Sequence, residues 1–156
     1  HIRTDGGEQA FATTRILPPI PIDSVVIETQ ENDTLYRALT YFTDDTTQAN
    51  FVRRILHVNT LDSIDQDFIT DDRFVESASV VFGSGYTYSQ GDTLINSLYH
   101  MEEAYYEFLL SVFGSLDANG NPFAQPGRIN SNITGTNEPT GIFTGLSYDR
   151  VETVIE

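Results

Sequence analysis

Cysteine is absent from the chain, and with it a disulfide scaffold, a zinc–thiolate site and a thiol nucleophile. The absence does not fix a compartment, because secreted proteins also occur without cysteine. Lysine is absent too: all eight basic residues are arginine. That removes a phosphate-gripping lysine, a Schiff-base lysine and a lysine–asparagine isopeptide bond. Positive charge is scarce as a whole. Eight arginines face 23 acidic residues, for a net charge of −15. Such a field repels a phosphate backbone and an anionic lipid surface, so no nucleic-acid partner is expected. No apolar run approaches the ~20 residues that a membrane-spanning helix needs.

What is present is 156 residues, enough for one ordinary domain or one domain plus part of another. A chain of this size buries ~68–70% of its unfolded surface, and needs neither metal nor disulfide to do so. "HIRTDGGEQAFATTRI" reads as strand, turn and strand around "DGG". A hairpin at the first residue leads us to expect that the sequence begins inside a larger protein. "ILPPIPID" follows, a stiff extended connector, since Pro18, Pro19 and Pro21 cannot donate ladder hydrogen bonds. β-Branched and apolar runs then predict strands at 22–29, 34–42, 51–59, 78–83 and 92–99, with a short one at "FIT" inside the acidic stretch 60–74. Further strands are expected in "GIFTGLSY" and "RVETVIE". One helix is expected near 101–113. Met101, Tyr105, Phe108, Leu109 and Val112 share a face, Glu102 and Glu103 sit in its first turn, and Gly114 is the expected stop. The fold class is therefore mainly β: a β-sandwich or a partly closed barrel with one helix.

Few residues suggest chemistry. The run "DSIDQDFITDD" offers Asp62, Asp65, Asp67, Asp71 and Asp72 as oxygen ligands for calcium, or simply as a solvated loop. "DANGNP" opens like an EF-hand loop with Asp117, Asn119 and Asn121. However, Pro122 stands where a turn glycine is needed and Arg128 where a bidentate glutamate is needed, so it reads as a turn. His1, His57 and His100 have no partner at metal or triad spacing. Glu102, Glu103 and Glu107 read as helix-surface acids rather than a glycosidase pair. No catalytic residue, metal site or cofactor is expected, and the chain is not read as an enzyme.

Two quieter signals remain. Asp-Ser/Thr followed by an aliphatic residue or threonine occurs at 23–25, 33–35, 45–47, 62–64 and 92–94. Composition predicts roughly one such triplet. Either Asp ends a turn before a strand-opening residue, or Ser24, Thr34, Thr46, Ser63 and Thr93 are O-glycosylation sites, since the triplet resembles the periplasmic O-glycosylation sequon of Bacteroidetes. The loop "GSGYTYSQG" offers Tyr86 and Tyr88 as ligand or partner contacts, or as strand-end packing.

The order of motifs resembles a known family. In sequence they are "RTDGGEQAFATT", "PPIPIDSV", "YFTDDTTQANFVRRILHVN", "ITDDRF", "GDTLINSLYHMEEAYYEFL" and "GNPFAQPGRINSNITGTNEPTGIFTGLS". Together they resemble the C-terminal part of a Bacteroidetes outer-membrane lipoprotein family, the domain of unknown function 4249, found beside TonB-dependent receptors. Phe123 and Ile133 match its apolar anchors and Gly141 its late glycine, while "TNEPT" looks inserted. The resemblance implies a preceding Ig-like β-domain whose last hairpin is 1–17, a β-rich C-terminal domain over 18–156, and a lipid anchor outside this chain. It also implies an outer-membrane or cell-surface location and a TonB-dependent transporter as partner, with a non-catalytic role in nutrient binding or uptake. The alternative is a calcium-dependent glycan-binding or adhesive β-module using Asp62, Asp65 and Asp67. On this reading "NGNPFAQPGRINSNI" (119–133) carries the chain from helix back to strand. Phe123 plugs it into the core, and its asparagines bond backbone groups that no ladder reaches.

Overall fold

The computed structural model describes residues 1–30, 34–72, 78–119 and 127–156. Phe123, Asn121 and Pro122 lie outside them. The elements are β1 (Ile2–Arg3), β2 (Gln9–Phe11), β3 (Ile22–Thr29), β4 (Tyr36–Thr43), β5 (Phe51–Val58), β6 (Gln66–Asp71), β7 (Ser79–Gly83), β8 (Thr93–Met101), α1 (Glu103–Asn119), β9 (Thr134–Gly135) and β10 (Ser147–Val154). The fold is mainly β, as the strand patterns predict. The packing divides the chain into two units. Residues 1–17 group with 101–146, and 18–100 with 147–156.

In the first unit, β1 and β2 form the expected hairpin, pairing Ile2 with Ala10 and Arg3 with Gln9. Gly7 closes its turn with a left-handed φ of 84°. β9 pairs with β2 through Ala10–Gly135 and Phe11–Thr134, making a three-stranded sheet. A Cβ on Gly135 would lie 2.0 Å from the Gln9 carbonyl oxygen, so only glycine allows this approach. α1 buries Tyr106 and Leu109. It starts two residues later than the expected 101 and runs through Gly114 to Asn119. The return segment fastens to it by side chains. The Asn130 N–H donates to Ser111 Oγ (2.9 Å), and Asn130 Nδ2 donates to the Glu107 carbonyl (3.2 Å). Asn132 donates to the Phe143 carbonyl (2.8 Å) and accepts from the Phe143 N–H (2.9 Å). Asn132 has the expected role, since it bonds both backbone groups of Phe143, which lies in no strand; Asn130 instead ties the segment to the helix.

The second unit is a β-sandwich of two open sheets, ordered β3-β4-β7 and β10-β8-β5-β6; they do not close into a barrel. β4 buries Ala38, Thr40 and Phe42 at every second residue, the signature of a strand with one face inward. β5 and β8 are central and buried along most of their length. The interior holds two apolar clusters, one of Ile22, Phe42, Val52, Phe82 and Leu98, the other of Ala38, Leu56, Tyr88, Leu94 and Ile155. Each fully buried leucine contributes ~1.5–3 kcal/mol of transfer free energy. Two strands were expected between 141 and 156. There is one, β10, which pairs along β8 from Ser147–His100 to Val154–Thr93.

Candidate functional site

The two apolar clusters are separated by a polar layer built from three strands. In β5, Arg54 stands between Val52 and Leu56. In β8, Asn96 stands between Leu94 and Leu98. In β4, Thr40 stands between Ala38 and Phe42. A period of two sends each polar residue to the same face as its apolar neighbours, which is the interior. Their exposures are 1%, 0% and 0%. Asn96 Oδ1 gathers them: it accepts from Thr40 Oγ1 (2.9 Å), Arg54 Nη2 (3.0 Å) and Arg54 Nε (3.2 Å). Arg54 Nη1 donates to Gln66 Oε1 on β6 (2.9 Å). Asn96 Nδ2 is buried with no partner among the described residues. Such an orphan donor costs ~1–3 kcal/mol.

Every acceptor that Arg54 reaches is a neutral amide. Among the described residues no carboxylate lies within ion-pair distance of it, although its neighbour Arg53 grips Asp67 with two bonds (2.8 and 2.6 Å) and Arg37 grips Glu28 (2.6 Å). Burial pulls the Arg54 pKa down, partly opposed by the nearby Tyr88 and Asp65. An uncompensated buried charge costs ~3–5 kcal/mol. Through the half-buried Gln66 the polar layer borders the surface. β6 is the last strand of one sheet and β7 the last of the other, and between these edges lies a groove of about 450 Å³. Arg54 and Gln66 line its polar end; Phe68, Val81 and Phe82 line its apolar walls, with the neutralised Asp67 at the side. Phe68 meets Phe82 edge-on at 5.3 Å. Phe68 and Val81 are about half exposed, at 51% and 49%, in contrast to the buried Arg54 below them.

The sequence profile of a family described as Domain of unknown function (DUF4249) matches residues 1–152. The chain belongs to this family. No curated protein and no solved structure gives a match. The DUF4249 match spans both units, so the groove belongs to a framework shared with that family rather than to an appended segment.

Of the residues that the sequence singled out in this DUF4249 chain, Asp67 lines the groove and the others do not. Tyr88 is not an exposed contact. It is 3% exposed within the second apolar cluster, and its phenol donates to Asp65 Oδ2 (2.7 Å). Burial first, and then that bond to a carboxylate, pushes its pKa up to about 12. Tyr86 is half-buried under the Arg37 guanidinium, 4.8 Å from its ring centre. The three expected calcium acids turn to three different partners. Asp62 accepts from Thr60 Oγ1 (2.9 Å), Asp65 from Tyr88, and Asp67 from Arg53. No group of three or more His, Cys, Asp or Glu among the described residues is placed to hold a metal ion. Glu102 accepts from Thr14 Oγ1 (2.7 Å), and His100 Nδ1 lies 2.7 Å from the Pro18 carbonyl. Ser24, Thr34, Thr46 and Ser63 are exposed. Thr93 is half-buried, and its N–H donates to Asn59 Oδ1 (2.8 Å).

Arg54 escaped the sequence reading, yet "FVRRILHV" contains its signal. Two consecutive arginines in a strand that is apolar at nearly every other position cannot both face water. One of them must point into the sandwich.

Proposed function

We propose that this chain is the ligand-binding part of a non-catalytic, lipid-anchored outer-membrane protein that works with a TonB-dependent transporter, and that the groove between β6 and β7 receives the ligand. The observation that carries the reading is the groove itself. Its volume of about 450 Å³ falls within the ~300–1,000 Å³ usual for small-molecule sites. It combines apolar walls with a few polar groups at one end, the composition of a site that holds a ligand and orients it. Its lining offers an arginine, an amide and an already paired aspartate. That set suits recognition better than bond breaking, which needs a nucleophile within reach of a base. The family membership and the order of its motifs support the setting beside a TonB-dependent receptor.

The test is a mild-detergent pull-down of the tagged full-length protein from its own host, read by mass spectrometry. The expected result is co-purification of an outer-membrane TonB-dependent receptor, with the protein itself in the membrane fraction. Fractionation as a soluble protein with no such receptor above background would overturn the proposal.

A further inference from the structure

We infer that the groove selects a small organic carboxylate, with the anionic head on Arg54 and a flat apolar body between Phe68 and Val81. The inference rests on the reading of the groove as the ligand site and adds the chemical class of what enters it.

Three observations lead there. The first is charge. In a chain with 23 acidic residues, the buried Arg54 is given, among the described residues, only the amide oxygens of Asn96 and Gln66. The carboxylate nearest the groove, Asp67, is already taken by both bonds of Arg53. Among the described residues the charge of Arg54 is thus left for something that comes from outside. The second is donor count. A guanidinium carries five N–H groups. Three of those on Arg54 are spent, one from Nε, one from Nη1 and one from Nη2, which leaves one N–H on each terminal nitrogen. A carboxylate with its two oxygens matches a pair of guanidinium donors better than any neutral group does. The third is the wall. Phe68 and Val81 are half exposed and apolar beside this cation, so the body of the ligand gains by burial on the same step that seats its head.

The net charge of −15 works against any anion at long range. At about 0.15 M salt that field is screened beyond ~8 Å, whereas the contact with a buried guanidinium is not. The selectivity therefore shows in a comparison of matched probes rather than in absolute affinity.

The experiment titrates benzoate and its neutral isostere benzamide into the isotopically labelled chain and follows the amide signals of Phe68, Val81 and Gly83 by NMR. Benzoate is expected to shift them saturably, and benzamide to bind about tenfold more weakly, the discrimination that a charge-assisted pair of hydrogen bonds supplies. Arg54→Gln is expected to abolish the difference. Because Arg54 is buried, a second variant guards against misfolding. Gln66→Glu, isosteric and half-buried, puts a carboxylate on Arg54 Nη1 while the Phe68 and Val81 walls stay in place, and is expected to lower benzoate to the level of benzamide. Equal affinity of the two probes for the unaltered chain would overturn the carboxylate class and leave the groove as a binding site. Absence of any shift at the groove amides with either probe would overturn the groove reading along with it.

Discussion

Asp44 holds a buried carboxylate beside a second one, Asp72. The residue is buried; Oδ1 accepts from Asn50 Nδ2 (3.0 Å), and Oδ2 has no partner among the described residues. Asp72 is close by, both its oxygens accepting from the Asn50 N–H (2.9 and 2.8 Å). Burial first, then the negative charge of Asp72, raises the Asp44 pKa above its ordinary 3.8. The sign follows from proton binding. The folded chain holds this proton more tightly than the unfolded chain, so the group favours folding at low pH, and that contribution is lost as pH rises through the raised folded-state pKa. Asp44→Asn keeps the bond from Asn50, removes the charge and gives the orphan position a donor facing Asp72. The variant should be more stable than the parent at about pH 7, with the gain shrinking towards about pH 4, where both states of the parent take up the proton. Urea unfolding at the two pH values reads it. A loss at neutral pH, or an equal gain at both, would contradict the assignment. Residues such as Asp44 and Tyr88 mark the limit of sequence reading at this scale. "DD" and "YTY" each contain two chemically equivalent side chains, and only the strand partner decides which one is buried. Tyr88 is fixed by bridging back to Tyr36, whose N–H donates to the Tyr88 carbonyl (2.9 Å).

At the scale of elements, the strands were legible because β-branched and apolar residues recur with period two and turn residues separate them. The helix ends were not. Met101 continues the apolar run of β8 rather than opening α1, and Gly114 lies inside the helix instead of ending it. A glycine tolerated there still has a cost. Its position has an ordinary helical φ, and a Cβ would meet nothing within 4 Å. Gly114→Ala should therefore stabilise the chain by ~0.5–1 kcal/mol, seen as a raised urea midpoint with an unchanged slope. Gly135→Ala is the opposing control. Its Cβ would fall on the Gln9 carbonyl, so the β2–β9 pairing must open and the midpoint should drop. The strand expected at "GIFTGLSY" failed for a related reason. Backbone N–H groups of 141, 143 and 145 donate to Ser131 Oγ, Asn132 Oδ1 and Thr14 Oγ1, so side chains take the place of a ladder there. Propensity alone cannot reveal a partner that lies up to 131 residues away.

For the whole molecule, net charge is the property that no single residue carries. The family membership was legible because its motifs keep their order along the chain. The groove was not, because it arises only where the last strands of two separate sheets leave a gap. Charge, by contrast, reads directly from composition and makes a global prediction. With 23 acidic groups and eight arginines, the compact state repels itself, and salt relieves that repulsion. The thermal midpoint should rise steadily with added sodium chloride. Calcium chloride distinguishes this general effect from a specific site, because a bound ligand at about 100 times its dissociation constant adds ~2.7 kcal/mol beyond any screening. Asp62, Asp65 and Asp67 each serve a different partner, Thr60, Tyr88 and Arg53, so gathering them around one ion would break the Arg53 pair and the Tyr88 bond. At matched ionic strength the melting curves in the two salts should therefore coincide to within the small extra screening of a divalent ion. A midpoint that saturates at low calcium concentration, well above the sodium curve, would show that these acids do rearrange around a metal.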